Sequence, residues 1–290
     1  MEPQTVYSPN QTRDWLNCPV YRQISREWRP RTPVGKRDLA AALGTAIAEG
    51  VYEYNNALAL GNKLTPELLE GCRSKAVGSA NQILAAMTES NPIPDAWLDY
   101  ARQLSTYAEL GTLGYIEQIK DRMDYLVEVA EYELPSRARL DIAILSKGIV
   151  EVVDLKTKLT ITDRALKNYE DSYGVSGNGN QLYQYCWEYG EIIGRPVRDY
   201  RIHLLVVLPK PTLYEYRYHI PEERFQTWLQ SAKRVWEDMA AEDRGERLPY
   251  QRRDNCRTLF GKCEFYQACH ELYEDPTLMA RYYEPIEGGK

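Results

Sequence analysis

The chain has 290 residues, with 36 Lys and Arg against 42 Asp and Glu. That balance excludes a global basic field, so any polyanion site has to be local. The longest apolar stretches, Ile202–Leu208 around His203 and Ala40–Ala48, fall short of the roughly 20 residues that span a bilayer. The opening MEPQTVYSPN also lacks the basic and apolar regions of a secretory signal, so a soluble cytoplasmic protein with no membrane role is expected.

Taken in chain order, Leu39–Asn56 reads as a helix with Asp38 as its N-cap. Thr65–Ala86 and Asp95–Tyr115 also read as helices, with Pro66 and Pro94 near their starts. The pattern then changes to strand-like runs rich in Val, Ile and Tyr: Tyr125–Leu134, Arg139–Leu145 and Ile149–Lys156. Asn180–Ile193 returns to helix, Tyr200–Leu208 and Leu213–Ile220 read as strands, and Glu222–Ala241 is an amphipathic helix. Helices, three consecutive strands, a helix and two more strands make a mixed α/β (α+β) core. One domain over residues 1–290 is expected, with a helical insertion at about 61–115 and a cysteine-bearing segment at 250–275.

Two segments depart from the acidic average. Arg13–Arg37 holds seven bases and two acids, and Arg244–Lys262 holds six bases and two acids. Taken singly, a charge run is most simply a solvated loop. Cysteine changes that weighing, because Cys256, Cys263 and Cys269 lie within fourteen residues. Clustered thiols in a chain with no secretory signal point to metal or catalysis rather than disulfides. Three thiolates leave a tetrahedral set one ligand short, and Cys18, in WLNCPVY, is the best fourth. Spacing alone leaves Zn and an iron–sulfur cluster both open. Cys72 and Cys186 fall in helical patterns and read as small buried residues.

The segment RLDIAILSKGIVEVVDLK, Arg139–Lys156, reads as a hairpin with Lys147–Gly148 as a two-residue turn. Pairing Ser146 with Ile149 and counting outward sets Asp141 opposite Asp154, with Cβ atoms about 5 Å apart. Alternation puts Lys156 on that face, while Val153 and Leu155 point the other way. Charges are costly in core strands, and Asp is depleted from strands altogether. The bland alternative is a cross-strand salt bridge on an exposed face. The chemical one is a hard-oxygen site for Mg²⁺ or Mn²⁺ with a lysine beside the water. Gln181 and Tyr185 form an i,i+4 pair on the next helix, a weak signal by itself.

Asp141, Asp154-Leu155-Lys156 and Gln181-x3-Tyr185 together resemble the PD-(D/E)xK nucleases in their RecB-type form. YSPNQTRDWLNCPVYRQ resembles the opening of the iron–sulfur RecB-type exonucleases, which include phage-encoded and CRISPR-associated members. The resemblance implies a restriction-endonuclease-like sheet flanked by helices. It implies a [4Fe–4S] cluster on Cys18, Cys256, Cys263 and Cys269, closing the N-terminus onto the C-terminus. Asp141, Asp154 and the Leu155 carbonyl would bind Mg²⁺ or Mn²⁺, Lys156 would activate water, and Gln181 and Tyr185 would support the reaction or contact DNA. Six residues separate Cys256 from Cys263 where CRISPR-associated members have two, which is closer to phage or RecB-like relatives. The family histidine after Gly-x-x-x is Ala48 here, and the adjacent Glu49 is the candidate oxygen ligand in its place. The resemblance implies hydrolysis of single-stranded DNA or duplex ends, recombination or CRISPR-adaptation proteins as partners, and homo-oligomers in some relatives. The competing class is a catalytically inactive nucleic-acid-binding or scaffold protein with a structural Zn or Fe–S site.

Overall fold

A computed structural model of the chain describes residues 5–19, 21–22, 24, 28–30, 34–90, 92–171, 179–247, 257–258, 261–262 and 283–285. Its elements are α1 (Pro9–Asn17), β1 (Trp28–Pro30), α2 (Lys36–Ala59), α3 (Pro66–Ser90), α4 (Asp95–Arg102) and α5 (Leu104–Ile119). There follow β2 (Leu126–Glu133), β3 (Arg139–Ser146), β4 (Ile149–Lys158), α6 (Asp163–Asp171), α7 (Gly179–Ile193), β5 (Asp199–Val206) and β6 (Thr212–His219). The last are α8 (Glu222–Asp243), β7 (Arg257–Thr258), β8 (Gly261–Lys262) and β9 (Tyr283–Pro285). No helix among the described residues is long and apolar enough to cross a membrane. Contacts divide the chain into two compact units, Met1–Thr32 with Gln226–Lys290, and Pro33–Phe225.

The first unit joins both ends of the chain. Its α1 starts in a reciprocal capping box: the Ser8 hydroxyl accepts from Gln11 N–H, and the Gln11 carbonyl oxygen Oε1 accepts from Ser8 N–H. Tyr7 and the buried Arg22 both donate to Asp243, Trp15 Nε1 donates to Glu242, and Trp236 Nε1 donates to Thr12. β1 pairs antiparallel with β9, tying residues from the two termini into one ribbon. Cys18 is the partly exposed C-cap of α1. Cys256, Cys263 and Cys269 lie outside the described residues, so the fate of the sulfur ligands does too.

In the second unit the sheet runs in the order β2-β3-β4-β5-β6, and every neighbouring pair is antiparallel except β4–β5. A parallel pair requires a crossover, and α6 and α7 supply it. One sheet face carries Ile142, Ile144, Val153 and Leu205, which pack on apolar residues of α2, α3 and α5. The same face holds a buried ionic network. Arg201 reaches Glu151, Asp124 and Glu215, and His203 bridges Glu215 and Tyr115. Such a network holds strands β4, β5 and β6 in one register because an orphaned partner would be a bare buried charge.

Several helices differ from expectation, α1 among them, which has no counterpart in the expected elements. Asp38 is not the N-cap of α2: Gly35 is, and Asp38 reaches back to accept from Gly35 N–H at 2.8 Å. A carboxylate at the third position can do this from inside the helix and still favours the positive end of the dipole. The single helix expected over Asp95–Tyr115 is broken at Gln103 into α4 and α5. α6, polar and short, was not anticipated.

The bundle approaches through small residues. A Cβ on Gly50 of α2 would lie 2.6 Å from Thr112 Cγ2 and 2.7 Å from the Cys72 carbonyl oxygen. Gly50→Ala is therefore expected to lower the stability by about 1–3 kcal/mol through overpacking against backbone. A urea midpoint unchanged from wild type would contradict this close approach.

Candidate active site

The β3–β4 hairpin turns where expected. Lys147 and Gly148 both have positive φ, 51° and 83°, and Ser146 pairs with Ile149. Two left-handed residues match the twist of the flanking strands, which is why Gly follows Lys here. The ladder runs outward to Ile142↔Val153, and the count places Asp141 next to Asp154. There the backbone pairing gives way to a side chain, and Asp141 Oδ2 accepts from Leu155 N–H at 2.8 Å. The strand therefore remains satisfied while β3 begins to part from β4.

Asp154 is almost fully buried, and Lys156 Nζ lies 2.8 Å from its Oδ1. The two stand on the face opposite the packed Val153 and Leu155, as alternation requires. Burial, and next the Asp154 carboxylate, push the Asp141 carboxyl up to about 7, while Lys156 and the Leu155 N–H act in the other direction. Two crowded carboxylates in a poorly solvated pocket are a poor place for two negative charges.

α7 packs against β4 and β5. Gln181 Nε2 donates to Tyr185 OH at 2.7 Å, so the i,i+4 pair expected on this helix forms. Tyr185 is buried and feels Asp141, Asp154 and Lys156; burial pushes its hydroxyl up to about 12. Because Gln181 fills an acceptor position on the phenol, the phenolic hydrogen is left to donate. One further residue on this helix went unread in the sequence: buried Glu188 accepts from Ser136 N–H at 2.9 Å and from Gln184 Nε2 at 2.7 Å. This tie holds α7 to the β2–β3 turn.

The structure thus brings Asp141, Asp154, Lys156, Gln181 and Tyr185 together. Glu49 is placed differently. Among the described residues no hydrogen bond or ion pair joins it to either aspartate, and it acts by charge on Glu131, which in turn raises Asp141. Glu131, on β2, was not anticipated either. Its only sequence signal was an acid in the strand that pairs with the Asp141 strand.

The donor set fits a hard divalent cation. Among the described residues no group of three or more His, Cys, Asp or Glu is arranged to hold a metal ion, so the protein donors here are two carboxylates and backbone. The Leu155 carbonyl leaves β4 on the same side as its N–H, toward Asp141. A cation there would relieve the repulsion that holds a proton on Asp141, and oxygen ligands suit Mg²⁺ or Mn²⁺.

No curated protein matches the chain significantly. A solved structure of a candidate exonuclease from Eubacterium rectale aligns over 96% of this chain and 93% of that one, with a TM-score of 0.50 at 14% identity. That likeness is one of fold. The family model of the PD-(D/E)XK nuclease superfamily matches residues 6–270, taking in the aspartate–lysine hairpin and the helix above it. By that match the chain belongs to the PD-(D/E)XK nuclease superfamily.

Proposed function

We propose that this nuclease is a Mg²⁺- or Mn²⁺-dependent deoxyribonuclease of the RecB-type group that degrades DNA from its ends. The observation that carries the reading is the 2.8 Å contact of Lys156 Nζ with Asp154 beside the proton-holding Asp141. Asp141, Asp154 and the Leu155 carbonyl would hold the cation. When bound, the cation polarises the phosphoryl oxygen and makes a coordinated water more acidic. The chain's own groups do the rest. Asp154 aims Lys156, and Lys156 holds the attacking water and meets negative charge growing on the phosphate. Gln181 and Tyr185 orient the scissile strand, the phenol acting as a neutral donor. In-line attack would leave a 5′-phosphate and a 3′-hydroxyl.

A [4Fe–4S] cluster on Cys18, Cys256, Cys263 and Cys269 would act as a structural closure. The pairing of β1 with β9 and the Tyr7 and Arg22 contacts to Asp243 support it, since both chain ends already meet in one unit. The basic segments would then bind the DNA backbone without sequence preference. The candidate exonuclease neighbour supports an end-directed activity in fold alone.

The test is cleavage of end-labelled single- and double-stranded DNA with Mg²⁺, Mn²⁺ or EDTA, beside Lys156→Ala. Cation-dependent cleavage that shortens the label progressively and is lost in the variant is expected. Cleavage that persists in EDTA, or none by a protein that binds the same DNA, would overturn the reading.

A further inference from the structure

We infer that Arg139, steered by Glu131, is a binding contact for a backbone phosphate flanking the scissile one. The inference rests on the nuclease reading above and extends its site by one subsite. Arg139 stands two residues before Asp141 on β3, hence on the same sheet face and about 7 Å along the strand. Its side chain is 66% exposed, whereas that of Glu131 is 18% exposed, and the two lie 3.1 Å apart through Nη1 and Oε2. Glu131 is also the residue that the register sets across from Asp141, between the pairs Ala130↔Ile142 and Tyr132↔Leu140.

Three observations give this pair a direction. First, Glu131 has a φ of 49° inside a strand, a left-handed conformation that a glutamate adopts only at a cost. Second, the acid is the enclosed partner and the guanidinium side chain the exposed one, so the base is held at the surface and stays open to solvent. Arg has five N–H donors in a rigid fork, and one acid leaves several for a phosphate. Third, the register brings the carboxyl groups of Glu131, Asp141 and Asp154 to this end of the sheet. A polyanion brought there gains from fixed positive charge beside the cleaved phosphate, in addition to Lys156, whose proposed place is at the scissile phosphate itself. Arg139 is placed to supply it about one nucleotide step away.

The experiment uses the full chain and oligonucleotides carrying a single neutral methylphosphonate at each linkage near the cut, with Arg139→Ala, Arg139→Lys and Glu131→Gln. For wild type, one flanking linkage is expected to raise KM about tenfold when neutralised, the size of a charge-assisted hydrogen bond. Arg139→Ala should raise KM similarly on unmodified DNA, become insensitive to that one linkage, and keep kcat within about twofold. Its binding in EDTA should show a salt slope shallower by about 0.7–0.9, the change that follows when one fewer phosphate is neutralised by the protein. Arg139→Lys should recover part of the KM, and Glu131→Gln should raise KM with the salt slope unchanged. An Arg139→Ala protein that senses every neutral linkage as wild type does, with an unchanged salt slope, overturns the inference alone. A wild type that neither cleaves nor binds DNA overturns the nuclease reading and this inference with it.

Discussion

Asp154→Ala is expected to lower phosphodiester cleavage on the order of a thousandfold or more while DNA binding stays within a few-fold of wild type. The reason is positional. Asp154 is the buried member of the pair, and it is the group that aims Lys156 at 2.8 Å. Removing it takes away one of the two carboxylates proposed to hold the cation and releases the lysine, so two proposed functions would disappear with one side chain. Binding should persist, because the cations proposed to contact the DNA backbone, Arg139 and the two basic segments, lie elsewhere on the chain. Stability should change little, since the partly exposed Lys156 keeps its hydration and the repulsion between the two carboxyl groups is lifted. A gel-shift or anisotropy titration beside the cleavage assay separates the two outcomes. Loss of binding and of cooperative melting together would make Asp154 a structural residue and undo its assignment to the chemistry.

The second large effect concerns protons. The Asp141 carboxyl is held up at about 7 against an ordinary 3.8, by burial and then by Asp154. Between those two values the folded protein keeps a proton that the unfolded chain has lost, so the metal-free protein loses stability as pH rises through this window. Asp141→Asn cannot ionise. The metal-free variant should therefore be more stable than wild type above pH 7, by on the order of 1–2 kcal/mol, with the difference shrinking toward pH 4. Divalent cation is expected to reverse the ranking. Added Mn²⁺ should raise the Tm of wild type at pH 8 and leave that of Asp141→Asn where it was. Below pH 7 the cation must displace the Asp141 proton, so its affinity should fall as pH is lowered. Melting curves from pH 5 to 8, with and without Mn²⁺, read all three effects without any activity assay. A wild-type Tm indifferent to both pH and cation would remove Asp141 from the metal site.

What the sequence determined by itself is local. Lys147–Gly148 demanded a tight turn with two left-handed residues, and a two-residue turn leaves one register for the strands it joins. The convergence of Asp141, Asp154 and Lys156 followed from that register and the period of a strand. Gln181 and Tyr185 followed in the same way from the period of a helix. Each of these relations spans few residues and depends on backbone geometry alone.

Tertiary structure decided everything that joins distant segments. That α7 lies against β4, with Tyr185 within reach of the aspartates, depends on how the crossover between two parallel strands returns to the sheet. Glu188 could be seen as a carboxylate on a helix, but not as the acceptor for Ser136, 52 residues away. The place of Glu131 rests on a left-handed residue in the middle of β2, which pattern reading takes for ordinary strand. Arg201 and His203 are polar residues in an apolar run, and only the strands and helices packed around them supply the partners that make their burial tolerable. Periodicity tells which face a side chain takes. Which other face it meets is set by packing among elements far apart in the chain, and at this site that packing brings the helix to the hairpin.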